Sequence, residues 1–249
     1  MSVALAGGAL TQTFLGAPAS VIELGTLCAG LLLGPTLVKN CAWFGPVKKR
    51  FTTDTREVWL TIDDGPNPEQ TPYVLDVLGR HQVKATFFVI GKHVQRHPEL
   101  ARRILAEGHA LQNHTYQHLE RSFWAAGPRV AHSEIELCSR AIADITGAVV
   151  TQFRAPVGFA NSFVHAAAAT NNLTMIGWSA TGCDGITHRP IQVADRIETA
   201  LHPGSIVLLH DSKLPKMRAA DRASTLELVL ARLAAAGYAC ALPQDTALG

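Results

Sequence analysis

The sequence lacks a surplus of charge of either sign. The 22 Lys and Arg nearly balance the 20 Asp and Glu, so the formal net charge of the 249-residue chain is only +2. This balance provides no broad basic field for a polyanion, and we therefore expect no nucleic-acid partner. The hydrophobic share of 47% excludes disorder of the whole chain. The length fits one large domain, a β/α barrel included, or two small ones.

Cysteine is scarce, and no two cysteines form a C-x-x-C pair. An odd, widely spaced set argues against a disulfide framework and against a cysteine zinc site. We expect these side chains to be structural thiols. They are Cys28, Cys41, Cys138, Cys183 and Cys240.

Long apolar runs are also missing. Residues 1–38 carry one charged side chain, Glu23, yet neither of their two apolar runs reaches the roughly 20 apolar residues that a spanning helix needs. The start also lacks the basic region of a signal peptide. We interpret residues 1–50 as an apolar N-terminal arm, with a membrane-associated segment, an export signal and an arm packed on the domain as open alternatives. The apolar arm favours a location in the cell envelope or at a membrane surface. If the arm spanned a membrane, however, the basic residues that follow it would keep the domain on the cytoplasmic side.

From Val58 onward, short β-branched or aromatic runs alternate with helical patterns. Seven runs predict strands at residues 58–62, 85–90, 109–112, 150–154, 173–178, 205–210 and 238–242. Prolines at first helical positions and glycines at helix ends punctuate the segments between them. The pattern predicts an α/β fold with one parallel sheet, either open or closed into a barrel, and one domain over residues 51–249.

In both architectures the working residues gather beyond the carboxyl ends of the strands. The first predicted strand ends in Asp63 and Asp64, followed by Gly-Pro. Two adjacent carboxylates are costly unless a cation or a proton separates them. A simple turn signal is the alternative interpretation.

The third predicted strand leads into His114 and His118, which are four residues apart. On a helical turn this spacing allows both imidazoles to hold one metal ion. His93 and His97 share the spacing but lie in what we expect to be a solvated helix, so only the first pair is placed to meet Asp64. Two imidazoles and one carboxylate leave a coordination position for water and substrate.

Polar side chains end three further strands. Arg154 follows the fourth, where it would keep Asp63 ionised and aligned. Asp184 follows the fifth, and His210 ends the apolar sixth strand, where a buried structural histidine is the alternative.

These residues together resemble the five motifs of the polysaccharide deacetylases, also called the NodB homology domain or carbohydrate esterase family 4. The motifs are residues 61–66 (TIDDGP), His114-Thr115 with His118, Arg154-x-Pro156, Asp184, and Leu208-x-His210. Residues 58–90 are similar to the family almost throughout, and the resemblance covers roughly residues 55–243.

The resemblance implies a distorted β/α barrel of about seven parallel strands and a metal-dependent hydrolase. Its expected substrate is an acetylated amino-sugar polymer or glycoconjugate containing N-acetylglucosamine, from which it would release acetate and leave a free amine. It implies one divalent metal ion, usually zinc, on Asp64, His114 and His118. By similarity, Asp63 is the general base, His210 protonates the leaving amine, Arg154 orients Asp63, and Asp184 tunes His210.

The chain departs from the family where substrate would bind. Val157 replaces a frequent Tyr, and Gly185 a frequent Trp, which leaves the shape of the sugar pocket open. We expect Pro156, Val157 and Trp178 to contact substrate or its oxyanion, with Phe159, Phe123 or Trp124 as alternative aromatic platforms. O-deacetylation and deformylation of a lipid-linked amino sugar are alternatives on the same scaffold. From another class, a catalytically idle glycan-binding module remains an alternative.

Overall fold

The computed structural model describes residues 23–24, 30–31, 33–187, 189–212, 219–243 and 248. Its strands are β1 (Glu57–Asp63), β2 (Thr86–Val89), β3 (Ala110–Asn113), β4 (Gln152–Phe153), β5 (Thr174–Met175), β6 (Ala180–Thr181), β7 (Ser205–His210) and β8 (Ala239–Cys240). Its longer helices are α1 (Thr71–Arg80), α2 (Gly91–Arg96), α3 (Pro98–Ala106), α4 (Pro128–Thr146), α5 (Ser162–Thr170), α6 (Pro190–Thr199) and α7 (Ala219–Ala235).

The strands pair in parallel throughout. Their order is β5-β4-β3-β2-β1-β7-β6, and β8 pairs with the start of β1. This confirms the predicted α/β fold, a parallel sheet curled into a distorted β/α barrel. All seven predicted strands are present. The short β6 was not predicted, because its two residues, Ala180 and Thr181, lie outside any longer β-branched or aromatic run.

Strand β1 is buried on both faces, and its side chains alternate between them. Val58, Leu60 and Ile62 face the large apolar cluster under the helices, whereas Trp59 joins a second cluster with Phe88, Ile176 and Ile206. Successive side chains of a strand point to opposite faces, so Asp63 shares the face of Trp59. The alternation therefore directs the last residue of β1 toward the inside of the barrel.

Helix boundaries follow the predicted punctuation. Four helices begin at Thr71, Pro98, Pro128 and Pro190, each with proline at one of its first two positions. Helix α4 ends at Gly147, whose φ of 70° lies in the left-handed region that glycine tolerates best.

Asn40 and the residues near the end of the arm contact the barrel. The N–H of Asn40 donates to the carbonyl of Gly158 (2.9 Å), and Lys48 pairs with Ile176 beside β5. The backbone N–H of Phe51, the first residue after the arm, donates to the carbonyl of Gly204, just before β7. Most of residues 1–38, on which the anchor and signal alternatives depend, lies outside the described residues. The boundary at residue 50 stays a prediction.

Within the described ranges, no helix combines the length and the apolar character needed to cross a bilayer. The four cysteines that the structure describes are free thiols, as expected.

Candidate active site

Three predicted ligands come together at the carboxyl end of the sheet. Asp64 follows β1, and His114 and His118 follow β3. The Oδ1 atom of Asp64 lies 3.5 Å from Nε2 of His114 and 3.3 Å from Nε2 of His118. Among the described residues, this is the one group of three or more His, Cys, Asp or Glu side chains whose ligand atoms lie within 4.8 Å of one another.

The donor set fits a divalent cation. Nδ1 of His114 lies 2.7 Å from the carbonyl oxygen of Arg154. Because a carbonyl only accepts, Nδ1 carries the proton, and the lone pair of Nε2 faces Asp64. Oδ1 of Asp64 is buried and has no hydrogen-bond partner within the described part of the chain. An orphaned buried carboxylate oxygen between two imidazole nitrogens is the arrangement that a metal ion satisfies.

The protonation states agree with metal binding. Burial and the neighbouring His114 lower the pKa of His118 to about 4, so this imidazole is neutral at pH 7. Burial alone would raise the pKa of Asp64, but the surrounding imidazoles of His114, His210 and His118 outweigh it and hold that pKa well below its usual range. Neutral imidazoles and an ionised carboxylate are the forms that ligate metals.

The helical turn expected for His114 and His118 is wrong. Residues 114–118 form a loop, in which Thr115 has a φ of 66° and His118 a φ of 56°. The N–H of His118 donates to Oγ1 of Thr115 (3.1 Å), and the two imidazole rings lie 4.8 Å apart. A tight turn directly after β3, at the mouth of the barrel, brings the two imidazoles together.

A buried arginine, Arg154, contacts Asp63. Nη1 of Arg154 donates to Oδ1 of Asp63 (2.7 Å) and to Oγ1 of Thr61 (2.8 Å), and both charged side chains are almost fully buried. Nε and Nη2 donate to the carbonyls of Ile176 and Gly177. The guanidinium therefore has a fixed orientation, and its charge-assisted bond fixes the carboxylate.

The other oxygen of Asp63 faces the ligands. Oδ2 lies 3.7 Å from Nε2 of His114. One oxygen is thus tied to Arg154, while the second points toward the place where a metal ion would sit.

His210 lies on the neighbouring strand, paired in register with Asp63. Oδ1 of Asp184 lies 2.8 Å from Nδ1 of His210, and Oδ2 accepts from the backbone N–H of His210. Burial alone would lower the pKa of His210, but Asp184, with the charges of Asp64 and Asp63, raises it to about 9. The imidazole is therefore protonated at neutral pH.

Arg222 is a buried residue that sequence analysis missed. From α7, its Nη1 donates to Oδ2 of Asp184 (2.5 Å), and its Nη2 donates to the carbonyl of Ser212 (2.6 Å). An arginine in a polar helical segment gives no signal that its side chain points inward. A three-member chain, Arg222–Asp184–His210, thus supports the histidine.

The predicted substrate residues flank the same mouth. Pro156 is buried in a short turn, and Val157, with a φ of 59°, is 38% exposed. The ring of Trp178 packs against Gly158 and lies 5.8 Å from the Arg154 guanidinium. Phe123 is 1% exposed in the core against Phe153, so it is no aromatic platform.

The solvated environment expected for His93 is wrong. His93 is partly buried, and its Nδ1 lies 3.0 Å from the carbonyl oxygen of Asp64. His97, by contrast, approaches only the exposed Glu99, at 3.9 Å. Helix α2 starts directly after β2, which places its first turn beside the loop that follows β1.

Comparisons with known proteins give consistent matches. The family model described as polysaccharide deacetylase matches residues 50–176. A chitooligosaccharide deacetylase of Bradyrhizobium sp. (strain ANU 289) is 44% identical over 162 residues, which are 65% of this chain and 73% of that protein. The peptidoglycan-N-acetylglucosamine deacetylase PgdA of Listeria monocytogenes is 35% identical over 183 residues, 74% of this chain but 37% of that protein.

Two solved structures share the fold. A family 4 carbohydrate esterase from Streptomyces lividans in complex with acetate superposes with a TM-score of 0.69 and 26% identity, over 77% of this chain and 95% of that one. A CE4 family pseudoenzyme from Bacillus anthracis superposes with a TM-score of 0.70 and 25% identity, over 81% of this chain and 68% of that one.

Proposed function

Because this chain belongs to the polysaccharide deacetylase family, we propose that it removes N-acetyl groups from N-acetylglucosamine oligosaccharides or glycoconjugates. Membership confirms the resemblance that the motifs indicated, together with the class of carbohydrate deacetylases, hydrolases that act on a C–N amide bond. The products would be acetate and a free amino sugar. Chitooligosaccharide is the first substrate to test, since it is named for the curated relative from Bradyrhizobium.

The single observation that carries this proposal is the position of two proton-transfer groups around one metal-ligand set. Asp63, fixed by Arg154, and His210, fixed by Asp184, end adjacent paired strands. An amide hydrolase needs a base to activate water and an acid to protonate the leaving nitrogen. The site has one candidate for each.

Asp64, His114 and His118 would hold the divalent ion, for which zinc is our assignment. Two imidazoles and one carboxylate are a common ligand set of catalytic zinc. When bound, the ion would supply Lewis acidity, lowering the pKa of water and stabilising negative charge on the amide oxygen.

Asp63 would take a proton from the attacking water. Its free oxygen, Oδ2, faces the ligand set, and the bond from Arg154 keeps the carboxylate from rotating away. As the water oxygen bonds to the amide carbon, the carbonyl oxygen gains negative charge, and the backbone N–H of Val157 is our candidate donor to it. Pro156, which has no N–H, would serve only to fix this turn.

His210 would deliver a proton to the nitrogen as the C–N bond breaks. Asp184 and the nearby carboxylates raise the pKa of His210 to about 9, which favours the protonated form at neutral pH. Asp184 and Arg222 would orient the ring. Trp178, beside the same mouth, is our candidate for stacking on a sugar ring.

The test is release of acetate from chitooligosaccharides by the zinc-loaded protein. Asp63→Asn should lower kcat by roughly 10²–10⁴-fold while zinc content stays stoichiometric, since general-base catalysis contributes a factor of that size. Asp54→Asn, an exposed carboxylate outside the site, is the matched control and should retain full activity.

Peptidoglycan and acetylxylan belong in the same panel, with formate measured beside acetate. Ester cleavage alone or formate release would identify the alternative reactions. Zinc binding without release of either acid would contradict the proposal and favour an idle glycan-binding module.

A further inference from the structure

The start of helix α2 contacts both loops that carry the metal ligands. The N–H of Ile90 donates to the carbonyl of Gly65 (2.9 Å), in the loop after β1. The N–H groups of Gly91 and Lys92 donate to the carbonyls of Thr115 and Tyr116 (3.0 Å each), in the loop after β3. One short stretch of backbone therefore connects the Asp64 loop to the His114–His118 loop.

His93 adds a side-chain bond to this connection. Its Nδ1 lies 3.0 Å from the carbonyl oxygen of Asp64. A carbonyl oxygen can only accept, so Nδ1 carries the proton and donates. The bond reaches the backbone of the ligand residue itself, one peptide away from Gly65, which Ile90 holds.

Asp64 needs such support because its backbone is strained. Its φ is 78°, in the left-handed region that non-glycine residues rarely adopt. The N–H of Asp64 donates to the carbonyl of Phe88 (3.2 Å), and its carbonyl accepts from His93. With a bond on each side of its Cα, the direction of the Asp64 side chain is determined, and so is the position of Oδ1 between the two imidazoles.

We propose that His93 is a positioning residue for the metal centre: by holding the Asp64 carbonyl, it sets the affinity of Asp64, His114 and His118 for a divalent ion. The inference rests on the proposed metal-dependent function. His93 is not a ligand in this proposal, and it acts as a hydrogen-bond donor. Without the bond, the peptide after Asp64 is free to relax from the left-handed conformation, which moves the carboxylate out of the ligand set.

The measurement is the zinc affinity of the metal-free protein, determined by competition with a chromophoric chelator. His93→Phe keeps an aromatic ring but removes the donor, and it should weaken zinc binding about tenfold, the effect of one lost hydrogen bond. His93→Asn places an amide N–H at the δ position, and it should bind zinc within about threefold of the unchanged protein. His97→Phe makes the same ring substitution at the end of the same helix, without a contact to either loop, and should leave the affinity unchanged.

A purely structural role would give a different pattern. His93→Phe would then lower the unfolding temperature of the metal-free protein and leave zinc affinity as it was, which overturns the inference. Equal weakening by His93→Asn and His93→Phe would also overturn it, since the donor would not be the cause. If the unchanged protein binds no zinc, the proposed function fails with it; if the unchanged protein binds zinc and His93→Phe binds it equally well, only the role of His93 fails.

Discussion

At the scale of single residues, four of the eight non-glycine residues with positive φ in the described part of the chain lie where the chemistry is proposed. Asp64, Thr115, His118 and Val157 all have positive φ, although none is glycine. Such conformations persist only where surrounding contacts enforce them, and they are common at active sites. The contacts from His93, Gly91 and Lys92 are of this kind. Local sequence preference alone does not predict these conformations.

Arg222 carries the first residue-scale prediction. It is the second cation on the buried Asp184, and its removal leaves His210 to compensate that buried charge. Arg222→Met should lower the free energy of unfolding by about 3 kcal/mol and reduce kcat, because Asp184 no longer holds His210. Urea denaturation and acetate release measure the two effects.

The matched control is Arg232→Met on the same helix. Arg232 pairs with Asp195 and Glu198 at the surface, where ion pairs contribute little. Its urea midpoint and kcat should be unchanged. If Arg222→Met behaved like this control, the three-member chain would have no role.

Asp211 carries a pH prediction. It is fully buried and accepts a hydrogen bond from the hydroxyl of Thr71. Burial raises the pKa of Asp211 to about 8, from an ordinary value of 3.8. Between pH 4 and 8 the folded state thus keeps a proton that the unfolded state has released, and stability falls as pH rises, by at most about 1.4 kcal/mol per pH unit.

Asp211→Asn mimics the protonated acid and removes this dependence. The stability advantage of the variant over the unchanged protein should therefore grow from pH 5 to pH 8. Urea denaturation of metal-free protein in chelator at both pH values is the measurement, with exposed Asp54→Asn as control. A constant difference between variant and unchanged protein would show that Asp211 titrates normally.

At the scale of elements, short strands deliver single side chains to the mouth of the barrel. Strand β1 alternates between the helix-facing core and the inside, so its last residue, Asp63, points inward. His210 ends β7 at the paired position. The alternation and the apolar character of both strands could be predicted from the sequence, and the strand ends that they predict are the positions of Asp63 and His210.

Helix α2 carries the element-scale prediction. A Cβ on Gly91 would lie 2.8 Å from Cα of Cys138 in α4 and 2.8 Å from the ring of Tyr116. Gly91→Ala should therefore separate α2 from α4 and from the His114–His118 loop. This separation should lower both the unfolding temperature and the affinity for zinc. Differential scanning calorimetry measures the unfolding temperature, and the chelator competition measures the zinc affinity.

Gly79→Ala in α1 is the matched control. A Cβ there meets no atom within 4 Å, and alanine is the better helix former. This variant should be more stable by roughly 0.5 kcal/mol. Equal behaviour of the two variants would contradict the close packing around Gly91.

At the scale of the whole molecule, the proposed metal site joins segments that are distant in sequence. Asp64 and His118 are separated by β2, three helices (α1, α2 and α3) and β3. A ligand that binds only the folded state raises the free energy of unfolding with the logarithm of the ratio of its concentration to its dissociation constant. Zinc at one hundred times its dissociation constant should therefore raise the free energy of unfolding by about 2.7 kcal/mol.

Thermal denaturation of the protein with zinc, compared with denaturation in chelator, measures this stabilisation. His114→Ala should abolish the zinc-dependent increase, whereas His132→Ala, an exposed histidine on α4, should retain it. An increase that survives His114→Ala would place the ion elsewhere.

The sequence by itself determined the alternating α/β pattern. It also predicted the site residues that we propose, which are Asp63, Asp64, His114, His118, Arg154, Asp184 and His210. It could do so because hydrophobic periodicity and short motifs are local properties of a chain. The tertiary structure alone decided that His114 and His118 meet in a loop, that Arg222 supports Asp184, and that His93 holds the Asp64 carbonyl. These depend on contacts between segments far apart in sequence, and only the closing of the barrel brings those segments together.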